Sequence, residues 1–141
     1  MGLCNLKYLK NIMTKRKKQF ALYKKYLAGV HYKMPKVDTN IHYNYAYFSM
    51  VLESEELLLK LKSTLEAHQI YCRRYFYPSL SALDYVESYA TPIADGIANR
   101  ILCLPLYHDL KREEIRAICE LIKQTVTDQF PSYAQIQGAT A

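Results

Sequence analysis

The sequence predicts an α/β fold of the α+β two-layer sandwich type: helices cover a small, antiparallel or mixed three-stranded sheet, and a long helix comes first. Three observations lead to this prediction. Four segments carry apolar residues at helical spacing, three short segments between them are rich in apolar and aromatic residues, and the two kinds alternate along the chain. With 141 residues and 50% hydrophobic content, the chain is long enough for one core.

The first predicted helix spans Gly2 to Ala28, a range that contains no proline. Arg16 lies beside its apolar stripe, where it would contact whatever the stripe packs on. The stripe is already under way at Leu3, with no Ser, Thr, Asp or Asn before it to cap the first amides. We therefore expect Met1 to be an internal methionine of a longer ancestral helix whose stripe packed on a neighbour beyond this domain. The stripe consists of Leu3, Leu6, Leu9, Met13, Phe20, Tyr23 and Leu27.

The remaining elements are marked by caps, breakers and apolar spacing. Ser54 before two glutamates predicts a helix that fades near His68, and Thr91 before Pro92 predicts a hydroxyl-capped helix. The inner face of the latter is predicted to be Ile93, Ile97 and Ile101; the last helix, from about Lys111 to before Pro131, has the stripe Ile115, Ile118, Cys119, Ile122 and Val126. The predicted strands are Tyr43–Leu52, Ile70–Tyr77 and Leu102–Leu106.

Several kinds of site are excluded by the sequence. No stretch approaches the roughly 20 apolar residues of a transmembrane helix and no signal peptide is visible, so we expect a cytoplasmic protein with no membrane partner. No metal-ligand spacing occurs among the histidines or cysteines. No complete catalytic site is visible, and most lysines lie on outward helical faces. Without a C-x-x-C pair, the cysteines are expected to be reduced and mostly buried; they are Cys4, Cys72, Cys103 and Cys119.

The segment over residues 73–80, RRYFYPSL, has the densest grouping of arginine and aromatic side chains in the chain. One interpretation is an edge strand whose arginine stems pack on aromatic rings. The other is a pocket wall that presents a guanidinium and phenols to an anionic, hydroxyl-rich ligand, because arginine binds phosphate in a fork geometry. At strand spacing the two faces of this wall would be Arg73, Tyr75 and Tyr77 on one side and Arg74 and Phe76 on the other.

Two further functions stay open at this point. A net charge of +6, with Lys15–Lys18 and Arg73-Arg74, is compatible with a small basic module that binds nucleic acid or another polyanion. An exposed leucine-rich helix is also compatible with an oligomerisation domain.

Four segments together resemble the C-terminal part of the DegT-type sugar aminotransferases, which use pyridoxal phosphate on nucleotide-linked keto sugars. Residues 1–29 resemble the long helix that links their two domains, with Arg16 as its central arginine. Residues 44–52, NYAYFSMVL, resemble their first small-domain strand, with Asn44 and Tyr47 at motif positions. The segment RRYFYPSL and the later ADGIANRILCLPLY, residues 94–107, match in the same order.

The resemblance implies a linking helix over residues 1–29 and, over 30–141, the small domain of a fold-type I aminotransferase. It also implies a homodimer. It implies a substrate-binding role for Arg74, Tyr75, Phe76 and Tyr77, with Phe76 limited to contact because it lacks an imidazole. The form with Arg-Tyr-Phe-Tyr-Pro is similar to members that act on dTDP-linked keto sugars, in the biosynthesis of cell-surface polysaccharide or amino sugars.

By the same resemblance, the Schiff-base lysine and the residues that bind pyridoxal phosphate belong to a larger domain that this chain lacks. The isolated chain is therefore expected to hold no cofactor and to be inactive unless that domain is supplied in trans. A homo-oligomer formed through the apolar helix is the expected assembly, and nucleic acid is not expected as a partner.

Overall fold

The computed structural model describes residues 6–38, 40–87 and 89–129. Helix α4 packs against both α1 and α2, and the two strands pair with each other. A 3₁₀ turn at Leu80–Ala82 lies in the long loop before the third helix. The α/β class is therefore confirmed. The elements are α1 (Leu9–Tyr26), β1 (Phe48–Val51), α2 (Glu55–Ala67), α3 (Pro92–Ala98), β2 (Ile101–Leu104) and α4 (Arg112–Gln129).

Helices α2 and α4 form where their caps and stripes predict. The Ser54 hydroxyl accepts a hydrogen bond from the Leu57 amide at 3.1 Å and so caps α2. The Lys111 amide donates to the Glu114 carboxylate at 2.6 Å, which satisfies a free donor at the start of α4. All five residues of the predicted α4 stripe are buried, as are four leucines of α2. Each such side chain contributes about 1.5–3 kcal/mol by leaving water.

Strand β1 lies inside its predicted range and is shorter, whereas β2 begins one residue before its predicted range and ends two residues early. Residues 48–51 pair antiparallel with residues 101–104. Before β1 the backbone leaves the extended form at Tyr45, whose φ is 49°. The rings of Tyr43 and Tyr45 pack instead on Phe20, with centroids at 5.8 and 5.4 Å. Aromatic residues that suit a strand are thus used to cover α1.

The predicted third strand, Ile70–Tyr77, is wrong, and so is the three-stranded sheet. In the described part of the chain this segment contributes one antiparallel bridge, between Arg73 and Cys103. Continuing that register would pair Tyr71 with Pro105, which has no N–H to donate. On the other side the chain turns at residues 75–78. The segment therefore pairs with the edge of the sheet through Arg73 alone, and residues 70–77 form no strand.

Helix α3 begins after Thr91 as predicted, but its predicted inner face is wrong. Ile93 and Ile97 are exposed, and Ala98 is the buried residue. The Thr91 hydroxyl donates to the Asp95 carboxylate at 3.0 Å instead of capping a backbone amide. A helix of seven residues makes only about two turns, so its orientation is set by its link to β2 and by the loop before it.

Helix α1 packs on the core through its C-terminal half. Phe20, Tyr23 and Leu27 are buried, and the Tyr23 hydroxyl donates to the Pro105 carbonyl at 2.9 Å. The buried Gln19 amide donates to the carbonyls of residues 107 and 110 at 2.8 and 2.9 Å. These bonds join α1 to the segment between β2 and α4.

The N-terminal half of the same stripe is uncovered. Leu9 is 49% exposed and Leu6 is 61% exposed. The structure begins α1 at Leu9, whereas the predicted start at Gly2 and the expectations for Met1 and Leu3 lie outside the described residues. One apolar stripe thus passes from buried to exposed along a single helix.

The described cysteines are free and buried, as predicted; Cys4 lies outside the described residues. Burial raises the pKa of the Cys72 and Cys119 thiols to about 12. Within the described ranges, no group of three or more His, Cys, Asp or Glu side chains is placed to hold a metal ion. No helix there is long and apolar enough to cross a membrane.

Candidate functional site

The candidate site is the turn that follows the bridge at Arg73. The half-buried Tyr75 ring lies 5.1 Å from the Tyr47 ring and 5.4 Å from the Phe76 ring, measured between centroids. The Arg73 guanidinium donates to the Tyr75 hydroxyl and lies 5.6 Å from the centroid of that ring. Phe76 is 76% exposed, and Tyr77 is also exposed. The turn therefore presents large rings to solvent from a fixed base.

Arg74 fixes that base. Its Nη2 donates to the Glu55 carboxylate at 2.7 Å and to the Asn99 carbonyl at 3.0 Å. Its guanidinium carbon lies 3.5 Å from the centroid of the Tyr77 ring, within the range of a cation–π contact. Only 13% of the Arg74 side chain is exposed. Arginine packing on an aromatic ring, the first of the two interpretations, is thus present at this residue.

A hydroxyl cluster around Asp95 holds the loop that follows the turn. Ser79 and Ser81 both donate to the Asp95 carboxylate, the latter at 2.5 Å, and Thr91 donates to it at 3.0 Å. These bonds, that from Ser79 above all, hold the pKa of the Asp95 carboxyl below its usual value. One carboxylate in α3 therefore anchors both ends of the loop over residues 79–91.

A cavity of about 800 Å³ lies beside the turn, between α1, α4 and the end of β2. Most of its wall is apolar. Its polar lining residues are Arg16, Tyr47, Gln69, Tyr71, Arg73, Tyr75, Tyr107 and Glu114. Arg16 and Tyr47, which lie 31 residues apart in the sequence, meet here with the turn.

The amino-acid sequence over residues 1–123 matches the model of the DegT/DnrJ/EryC1/StrS aminotransferase family. The chain belongs to this family. Its relatives include dTDP-4-amino-4,6-dideoxy-D-glucose transaminase of Escherichia coli, which is 29% identical over 134 residues, and GDP-perosamine synthase of Vibrio cholerae, 25% identical over 128 residues. The matches cover 86% and 87% of this chain and 35% of each relative. The chain thus spans about a third of the length of these family members.

Two solved structures share the fold. DesI, determined in the presence of its TDP-sugar product, superimposes with a TM-score of 0.82 at 20% identity, over 97% of this chain and 37% of DesI. The aminotransferase TlmJ from Streptoalloteichus hindustanus gives a TM-score of 0.81 at 17% identity, over 91% of this chain and 35% of TlmJ. This chain therefore shares the fold of about a third of each of these two proteins.

The structure separates the residues that the family resemblance had grouped. Tyr75 faces the cavity, whereas Arg74, Phe76 and Tyr77 do not line it. Asn44 also lies outside the cavity lining; its side-chain oxygen accepts a hydrogen bond from the Ala46 amide at 3.0 Å. The sequence reasoning missed Asp95. Its signal would have been an acidic residue one turn after Thr91, close to two serines in the preceding loop.

The family uses pyridoxal phosphate, and the described residues do not fit that cofactor. A Schiff-base lysine must be desolvated or next to another cation to react at neutral pH. No lysine lines the cavity, and no lysine in residues 6–38, 40–87 and 89–129 is buried. The part of the chain that the structure describes therefore has no lysine in an environment suited to hold the cofactor.

Proposed function

We propose that this chain is the C-terminal small domain of an aminotransferase that transfers an amino group to a nucleotide-linked keto sugar, specifically a dTDP-linked one. Residues 1–29 would be the helix that links it to the larger domain, and residues 30–141 the small domain itself. The family match, the dTDP-sugar transaminase among the relatives and the shared fold support this proposal. The same match favours it over a basic module that binds nucleic acid.

The exposed aromatic turn is the observation that carries the proposal at the level of residues. Phe76 and Tyr77 would contact the sugar directly, Phe76 by packing alone and Tyr77 also through its hydroxyl. Tyr75 would line the inner side of the same wall. Arg74 would contribute by holding the Tyr77 ring, because its guanidinium already bonds to Glu55.

The chemistry would depend on polypeptide beyond this chain. Pyridoxal phosphate supplies the electron sink for amino transfer, and its lysine would come from the larger domain. We therefore propose that the isolated chain binds no cofactor and has no activity. We also propose that the complete enzyme is a cytoplasmic homodimer of the kind that serves cell-surface polysaccharide or amino-sugar biosynthesis, and that the isolated chain self-associates through its exposed leucines.

A chimeric enzyme tests this function. The 134 matching residues of the Escherichia coli transaminase are replaced by those of this chain, and the product is assayed for amino transfer to a dTDP-4-keto sugar. We expect activity, and a loss of about tenfold or more in kcat/KM for the variant Phe76→Ala. The matched control is Tyr85→Ala, also highly exposed but outside the turn, which should change kcat/KM less than about twofold. A chimera that binds the cofactor yet aminates no nucleotide-linked keto sugar would refute the proposal.

A further inference from the structure

The uncovered half of α1 and the cavity form one continuous surface with a cation at its centre. Leu9, Met13 and Arg16 are spaced at i, i+4 and i+7, so they lie on one side of the helix over about 10 Å. Leu9 is exposed, Met13 and Arg16 are half-buried, and Arg16 is the point where the stripe enters the cavity. Four residues later the same stripe is buried in the core at Phe20.

The Arg16 guanidinium has no hydrogen-bond acceptor among the described residues. Its Nε is buried and has no hydrogen-bond partner, and among the described residues none forms an ion pair with its guanidinium. Glu114 lines the same cavity, but its carboxylate lies beyond ion-pair distance from Arg16 and accepts from the Lys111 amide at 2.6 Å. A half-buried guanidinium without an acceptor is costly, because it loses water without gaining a partner.

The charges on this face select the occupant. Arg16 and Arg73 outnumber Glu114 in the cavity lining, so one added negative charge is favoured. A second copy of α1 cannot supply it, since the first acidic residue of the chain is Asp38. The exposed leucines extend the surface beyond the cavity, which favours an elongated apolar occupant over a compact small molecule.

We propose that this surface is the docking site for an amphipathic polypeptide segment that buries Leu6 and Leu9 and places an aspartate or glutamate carboxylate against Arg16. The inference rests on the proposed function, because such a segment would belong to the two-thirds of the relatives' length that this chain does not span. The carboxylate would accept from the Nε edge of the guanidinium, the geometry in which arginine binds carboxylates most strongly. Arg16 therefore determines which segment docks, and the leucines supply most of the buried area.

The test is an NMR titration that observes arginine Nε–H groups, of which the chain has six. The probes are two helical peptides of about two heptads, each with leucine at the packing positions; one has glutamate at its central packing position and the other has glutamine there. We expect the Arg16 Nε–H signal to shift with the glutamate peptide, which should bind about tenfold more tightly than the glutamine peptide. The Nε–H of Arg74, also buried and unpartnered but outside the cavity, should not shift.

Two variants and free acetate serve as controls for the role of Arg16. Arg16→Met, which keeps the volume of the side chain, should abolish the preference for glutamate, while Lys17→Met on the exposed side of α1 should preserve it. Circular dichroism confirms that both variants fold. Equal affinity for the two peptides, no binding of either, or an equal shift of Arg16 by free acetate at the same concentration would each overturn the proposal. The titration reports docking and the chimera reports amino transfer, so the two proposals can fail separately.

Discussion

Removing the Arg74 guanidinium should weaken the turn that carries the exposed rings. In Arg74→Met the side-chain stem is kept and three interactions are lost. The ion pair with Glu55, whose side chain is 38% exposed, contributes about 0.5 kcal/mol after screening by solvent. The hydrogen bond to the Asn99 carbonyl adds about 1 kcal/mol, and the contact with the Tyr77 ring about 0.5 kcal/mol. The expected loss is therefore about 2 kcal/mol in the free energy of unfolding.

Urea unfolding followed by circular dichroism measures that loss. The control is Arg73→Met, since among the described residues the exposed Arg73 guanidinium contacts only the Tyr75 side chain of its own turn; it should cost clearly less than Arg74→Met. A double-mutant cycle of Arg74→Met with Glu55→Gln should give a coupling energy of about 0.5 kcal/mol. If Arg74→Met were as stable as the parent chain, or Arg73→Met the less stable of the two, Arg74 would not be the anchor of the turn.

Three further predictions concern the groups around the site. Tyr23→Phe should cost about 1 kcal/mol in urea unfolding, because the partly buried Pro105 carbonyl loses its donor. Tyr26→Phe, which removes the acceptor of an exposed bond from Arg112, should cost less, and equal costs would contradict this. Asp95→Asn should speed amide hydrogen exchange in the loop that Asp95 anchors, and unchanged exchange would contradict this anchoring role. In the parent chain, the stabilising effect of the carboxylate is present above about pH 4 and is lost as the pH falls through its lowered pKa. The raised pKa of Cys72 and Cys119 should leave both thiols unreactive toward iodoacetamide at pH 8, and labelling of the folded chain within minutes would contradict their burial. The stability that the two neutral thiols contribute should decline as the pH rises from about 9 toward 12.

Local signals were sufficient for the elements whose caps and packing faces lie in one stretch of sequence. Ser54 accepts the capping bond that its position before two glutamates predicts. The five-residue stripe of α4 is buried in full because an 18-residue helix with one apolar side has only one way to pack. The same holds for the C-terminal half of α1.

The predictions failed where distant parts of the chain decide the outcome. The segment after Ile70 has strand-like composition, but its pairing depends on a proline at residue 105 that removes the donor the ladder needs. Ile97 is exposed because a two-turn helix is oriented by its neighbours rather than by its own apolar side. The Asp95 cluster joins side chains up to 16 residues apart across an irregular loop, which no periodicity encodes. For the candidate site, the sequence predicted the position of the turn but not the hydrogen bonds of Arg74 and Asp95 that hold it.

We propose that the reactive chemistry of this family lies in polypeptide outside this chain. The most direct measurement is to incubate the purified chain with pyridoxal phosphate, reduce with borohydride and locate the modified lysines among its thirteen by peptide mass spectrometry. We expect only weak labelling, spread over exposed lysines and proportional to reagent concentration. A stoichiometric adduct at one lysine, formed at low cofactor concentration, would contradict the claim.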